Sequence, residues 1–264
     1  MPFTRADLIA AADRSPQAAT THDRDGWVGL FAAGGQVEDP VGSRPHRGTD
    51  RIARFYDTFI GPRDITFHRD VDVVEATTVI RDLELEVAMG PSVTMHIPAY
   101  LRYALQPAGP DLQITQLQAY WELPAMVGQF LRSGPAAGPA GLHLAGALLR
   151  NQGPAGALGF ARGFRRAGRR GRGRFTRLLD ALCAGDEVAV RRQVSRDTEI
   201  RRGDAESMGT AELSALTAGT RWRKPITSGY SLVAGFRGDR DPGVLIADLT
   251  PGTQTVRRLR YFAG

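Results

Sequence analysis

"GGQVEDPVGSRPHRGTDRIARFYDTFI", residues 34–60, joins a short β-prone run to an aromatic helix through two carboxylates and a proline. The strand "QVED" ends at Asp39, and Pro40 follows it. An Asp-Pro pair starts turns by itself. Asp39 is therefore either a turn former or a base facing the apolar residues that come next. Past "RPHRG", Thr49 or Asp50 is the expected cap of a helix carrying Ile52, Phe55, Tyr56, Phe59 and Ile60. Their i, i+3, i+4, i+7, i+8 spacing predicts one apolar face, with Tyr56 on it.

Upstream, "TRADLIAAADR" and "THDRDGWVGLFA" predict two helices with Thr4 and Thr21 as N-caps. The first is expected to end in "DRSPQ", and Gly34 and Gly35 break the second. Downstream, residues alternate. Val79, Leu83, Leu85, Val87 and Met89 share one parity, as do Val93, Met95, Ile97, Ala99, Leu101, Tyr103 and Leu105, and again Leu117, Ala119, Trp121 and Leu123. Three such segments in succession predict an antiparallel sheet with one buried side. Helices followed by a sheet folding over them make an α+β unit. His96 and Tyr100 have the opposite parity to Ala99 and are expected at a surface or interface, and Glu38 is expected in solvent.

From Leu123 to Leu179 there is no Asp or Glu, and twelve of the 31 glycines fall there. We read residues 124–173 as a small-residue helical linker whose basic end, "RRAGRRGRGR", is a flexible tether. From residue 174 the order repeats, with helices "RFTRLLDALCAG" and "DEVAVRRQV", strand "TEIRR", helix "TAELSALTAG", then "ITSGYSLVAGF", "GVLIADLT" and "TVRRLRYF". The expected domains are 1–123 and 174–264, related by a divergent duplication.

The pI of about 10.1 is local in origin. Eight arginines and no acid lie between Arg162 and Arg177, and setting them aside leaves the rest of the chain slightly acidic. Neither flank reads as a nucleic-acid surface, whereas the arginine run suits anionic lipid or an acidic protein. No segment approaches a membrane span or a signal peptide, and the single Cys183 fits a reducing cytoplasm. His22, His46, His68 and His143 show no metal-ligand spacing.

Three segments carry a resemblance. "VEDPVGSRPHRG", "RIARFYDTF" and "QAYWEL" resemble, in order and spacing, the ketosteroid isomerase-like, SnoaL-like branch of the NTF2-like superfamily, over residues 5–123. The resemblance implies a cone of helices in a curved sheet, here duplicated, with cones pairing in one chain or as a homodimer. It implies a steroid Δ-isomerase that moves a proton between carbons of an apolar enone through a dienolate, without metal or organic cofactor. Cyclases, dehydratases, epoxide hydrolases and non-catalytic binding or assembly modules share the fold, so fold alone does not select among them.

By the same resemblance Asp39 is the general base and Tyr56 the remaining carbonyl donor. Phe31, Phe55, Ala99, Leu117 and Trp121 are the expected pocket lining. Two positions depart from the family pattern: Ser15 stands where a tyrosine donor is expected and Ala99 where a protonated acid is expected. In the second domain the position matching Asp39 falls nearest Arg202, which accepts no proton. That domain is expected to be non-catalytic.

Overall fold

The computed structural model describes residues 3–90, 93–134, 137–239 and 241–264. It divides into two compact units, Met1–Asp72 with Thr77–Phe164, and Val73–Ala76 with Arg165–Gly264.

In the first unit, α1 (Arg5–Thr20) starts from a capping box in which Thr4 and Asp7 satisfy each other's backbone N–H groups. The helix does not stop at "DRSPQ" but runs through Pro16. Burial of Leu8, Ala11, Ala12, Ser15 and Ala19 along one side outweighs the bond that proline forfeits. α2 (Arg24–Gly29) is capped by Asp23, which accepts from Gly26 N, while Thr21 closes α1 instead.

Strand β1 (Phe31–Glu38) begins well before "QVED". Gly34 and Gly35 lie in an irregularity of its pairing, between Phe31 and Gln36. A Cβ on Gly35 would sit 2.8 Å from the Ala32 carbonyl oxygen, so only glycine fits that bend. After β2 (His46–Arg47) comes α3 (Thr49–Phe55), with Gly48 rather than Thr49 or Asp50 at its N-cap. It continues as a π-helical turn, Tyr56–Ile60. The strands β3 (Asp64–Glu75), β4 (Thr78–Ala88), β5 (Thr94–Ala108) and β6 (Asp111–Tyr120) complete a sheet of order β2-β1-β6-β5-β4-β3. The β4–β5 and β5–β6 pairs are antiparallel and β1 runs parallel to β6, so the sheet is mixed.

The predicted inward parity appears as buried Val79, Leu83, Val87, Met95, Ala99 and Tyr103. The expectation of a single buried side is corrected. Ile80, Asp82, Tyr100, Arg102 and Tyr120, on the other parity, are buried too, and Tyr100 is not a surface residue. His96 is exposed.

The expected linker is mostly part of this first unit. α4 (Leu123–Arg132) and α5 (Ala137–Ala161), the latter interrupted at Gly153 (φ +66°), belong to it. The boundary falls at residues 164–165, and the expected flexible tether is replaced by helix α6 (Arg169–Ala184). Phe175, Leu178, Leu179 and Leu182 form its buried stripe at i, i+3, i+4 and i+7, and this anchors the glycine- and arginine-rich first turns.

The second unit repeats the plan with α7 (Glu187–Gln193), β7 (Glu199–Arg202), β8 (Glu206–Ser207), α8 (Thr210–Thr217), β9 (Arg221–Ser228), β10 (Ser231–Arg237), β11 (Gly243–Leu249) and β12 (Val256–Ala263). Its strand order, β8-β7-β12-β11-β10-β9, is the first order with every label advanced by six. β7 runs parallel to β12 as β1 does to β6. The duplicated α+β cone is thereby established. Its interior holds a core of Phe175, Leu182, Leu213, Phe236, Leu245 and Tyr261 among other buried side chains.

Candidate active site

Two neighbouring strand ends build the site. Glu38 on β1 pairs in parallel register with Gln118 on β6, so the chain just beyond each strand emerges at one edge of the sheet. Asp39 follows the first strand and Trp121 the second. The Asp39–Pro40 peptide bond is cis. Val41 N donates to the Ala119 carbonyl at 2.8 Å, which ties the connecting loop to β6. Glu38 is half-buried rather than solvated: its carboxylate accepts from Gly42 N at 2.9 Å and from Gln118 Nε2 at 2.8 Å. The first carboxylate of "VEDP" therefore braces the loop, and the second is left to face inward.

Trp121 Nε1 donates to Asp39 Oδ1 at 2.6 Å. Asp39 borders a cavity of about 110 Å³ walled by Phe55, Phe59, Leu85, Met95, Ile97 and Trp121, among others. Burial among these groups pushes its carboxyl up to about 6, and the indole hydrogen bond offsets part of that rise. A carboxylate so placed is a stronger base than one in water and titrates close to neutrality.

Of the expected lining, the cavity collects Asp39, Phe55 and Trp121. Phe31 packs instead on Trp27, at 4.9 Å between ring centroids. Ala99 and Leu117 are buried without bordering the cavity. Tyr56 is buried against Trp27 at 5.5 Å, and its hydroxyl has no hydrogen-bond partner among the described residues. It does not border the cavity with Asp39. Ser15 is buried and accepts from Trp27 Nε1 at 3.2 Å, so the donor position it occupies serves the core.

Sequence reasoning missed Arg63, Met126 and Phe160. Arg63 borders the Asp39 cavity and donates through Nη1 to the carbonyls of Thr58 and Phe59, at 2.7 and 2.8 Å, closing the π-helical turn. Burial lowers its pKa from the usual guanidinium value. Met126 of α4 and Phe160 of α5 complete the wall, with Phe160 stacked on Phe59 at 5.4 Å. In the second unit, Asp204 pairs with Arg260 Nη1 at 3.1 Å, and Arg202 ends β7.

Residues 12–105 match the family model of the SnoaL-like domain, so the first unit carries a domain of this type. Among solved structures, the chain is similar to a Δ5-3-ketosteroid isomerase from Mycobacterium sp., at 29% identity, covering 46% of this chain and 96% of that one, with a TM-score of 0.41. It is also similar to a Mycobacterium tuberculosis protein in complex with estradiol-17β-hemisuccinate (24% identity, 45% and 95% covered, TM-score 0.41). A third is a SnoaL-like polyketide cyclase from Shewanella putrefaciens (16% identity, 47% and 96% covered, TM-score 0.43). Among the described residues no helix is long and apolar enough to cross a membrane.

Proposed function

We propose that the first unit is an isomerase of the steroid Δ-isomerase type, moving a proton between two carbons of a flat, apolar, carbonyl-bearing molecule. One observation carries this reading: a carboxylate with its pKa raised to about 6, held by an indole N–H at 2.6 Å, faces a cavity lined by apolar side chains. Asp39 takes the proton from the carbon next to the carbonyl and returns it at the far carbon of the dienolate. Carbon acids need such a base in a site that excludes water. The Trp121 N–H keeps the carboxylate oriented through both transfers.

The dienolate oxygen needs a donor. Arg63 fills that role better than Tyr56, because Arg63 borders the cavity and Tyr56 does not. The same arrangement supports a second reading as an epoxide-opening cyclase. Asp39 would then deprotonate a hydroxyl while Arg63 stabilises the oxygen leaving carbon. Conjugation of a Δ5-3-ketosteroid creates an ultraviolet chromophore, which separates the two. A rise in absorbance with wild-type protein, lost in Asp39→Asn, is the expected result. A rate equal to buffer on several enones would leave the cyclase reading. We propose that the second unit is non-catalytic, since Asp204 is held in an ion pair with Arg260.

A further inference from the structure

A second cavity, of about 210 Å³, adjoins the first and shares Phe59 and Phe160 with it. Its character is the reverse. Arg44, Arg51, Arg54, His46 and Ser43 line it, and no carboxylate does. None of the three guanidinium groups has a carboxylate in salt-bridge reach among the described residues. The Arg54 guanidinium donates through Nε to the Asp50 backbone carbonyl. All three arginines are exposed, so water hydrates them, and their charge gathered around a concavity without counter-charge attracts anions to it.

The lining of the cavity suits a ligand. Ser43 is 7% exposed, lines the cavity, and its hydroxyl oxygen is buried without a hydrogen-bond partner among the described residues. Unlike the orphaned hydroxyl of Tyr56, this one belongs to a residue on the rim of the arginine-lined cavity, where a small side-chain rotation can offer it to a ligand. His46 is held neutral, its pKa lowered to about 4 by burial and then by Arg44 and Arg51, so both guanidiniums press on the same spot.

We propose that this cavity binds the anionic end, a carboxylate or a phosphate, of the ligand whose apolar body lies against Asp39. The inference rests on the reading of the Asp39 cavity as the substrate site. Asp39, Ser43 and Arg44 stand on one short loop, and the stacked Phe59–Phe160 pair forms the shared wall. Alone, each cavity is smaller than the roughly 300–1,000 Å³ usual for a small-molecule site, and side by side they reach its lower end. The substrate class is thereby narrowed to amphipathic acids, such as a steroid carrying an acidic side chain, rather than a neutral steroid.

The test compares a Δ5-3-ketosteroid with the same steroid bearing a 17-hemisuccinate or a 17-phosphate, by calorimetric titration at low and high salt. The acids should bind about tenfold tighter at low salt. The ratio should fall toward one in high salt and in Arg51→Gln/Arg54→Gln, whose folding circular dichroism verifies. If that double variant does not fold, Arg44→Gln carries the same expectation. Whether carboxylate or phosphate gains more identifies the source of the charge. Equal affinity of neutral and acidic steroids in the wild type overturns the proposal, as does an advantage that survives the substitutions. If no steroid binds, the reading of the Asp39 cavity fails, and pyrophosphate alone decides the anion site. Arginine-dependent pyrophosphate binding upholds it, and no binding removes it.

Discussion

Trp121 Nε1 lies 2.6 Å from Asp39 Oδ1, and the two residues reach each other from the ends of parallel strands 82 positions apart. The indole supplies the one hydrogen bond that favours the ionised carboxyl, against burial that opposes it. Removing that donor in Trp121→Phe should raise the Asp39 pKa further. A hydrogen bond to a charged group is worth about 1.5–3 kcal/mol, and one pKa unit is about 1.4 kcal/mol. The acid limb of the kcat/KM profile should therefore move up by about one unit or more. A limb left in place would show that Trp121 only packs.

Asp39 itself couples activity and stability to pH in opposite senses. Its pKa rises from 3.8 to about 6 on folding, so between those values the folded chain holds a proton that the unfolded chain releases. Stability falls as pH rises through that window, by about 3 kcal/mol in all. Asp39→Asn should remove this cost, making the variant inactive yet more stable than wild type at pH 7–8, with the difference gone near pH 4. Urea titrations at the two pH values measure it. A variant less stable than wild type at pH 8 would refute the buried-carboxylate account.

Arg63 is expected to act on the dienolate rather than on binding. Arg63→Met should lower kcat by about a hundredfold or more, the usual effect of removing one such donor, with KM little changed. Arg63→Lys should recover part of the rate, since a cation is restored without the planar fork. Because Arg63 also caps the carbonyls of Thr58 and Phe59, thermal melts of both variants must accompany the kinetics. A KM effect alone would remove Arg63 from the chemistry.

Away from the site, Arg81 and Asp72 form a bidentate pair at 2.7 and 2.8 Å, both nearly inaccessible. Arg81→Met alone should cost up to about 3–5 kcal/mol, because it leaves the buried Asp72 carboxylate with only a 3.3 Å contact to half-exposed Arg69 and takes the 2.6 Å partner from Asp13. Adding Asp72→Leu should restore part of the loss, the remainder reflecting Asp13, which still lacks Arg81. Chemical denaturation of the three variants closes the cycle, and additive losses would mean that the pair is not coupled.

Five of the eight arginines between Arg162 and Arg177 lie on α6. Sedimentation with phosphatidylglycerol vesicles should show binding at low salt that disappears at high salt, where the Debye length falls to about 3 Å at 1 M. Neutralising Arg169, Arg170 and Arg172 to Gln should abolish it. Binding indifferent to those changes would assign these residues to a solvated helix face.

The place of Asp39 beside an apolar cavity and the sheet over it were legible because both rest on local patterns. Asp39 stands at a strand end beside an i, i+3, i+4 helix, and β4 to β6 alternate cleanly. β3 was missed, since "DITFHRDVDVVE" mixes charge into both parities. For Tyr100 the sequence left surface and interface open for a related reason: parity tells which residues share a face, not whether that face is covered. Met126 and Phe160 were illegible because they come from a glycine-rich stretch whose composition reads as linker, and only tertiary contact turns it into a wall. Tyr56 shares the helical stripe as expected. But its aromatic neighbour Trp27 draws it into the core, and position on a stripe does not say which cavity a ring will border.

The wall of the Asp39 cavity has a divided origin. Asp39, Phe55, Phe59 and Arg63 fall inside the stretch that matches the family model, whereas Trp121, Met126 and Phe160 come after residue 105, where the match ends. The matched stretch supplies Asp39 and most of the wall, while α4 and α5 add Met126 and Phe160 to it. Changes in α4 and α5 can recut one side of the cavity while the Asp39–Trp121 contact stays as it is, so the segment that looked like mere connection is where the shape of this cavity is freest to vary.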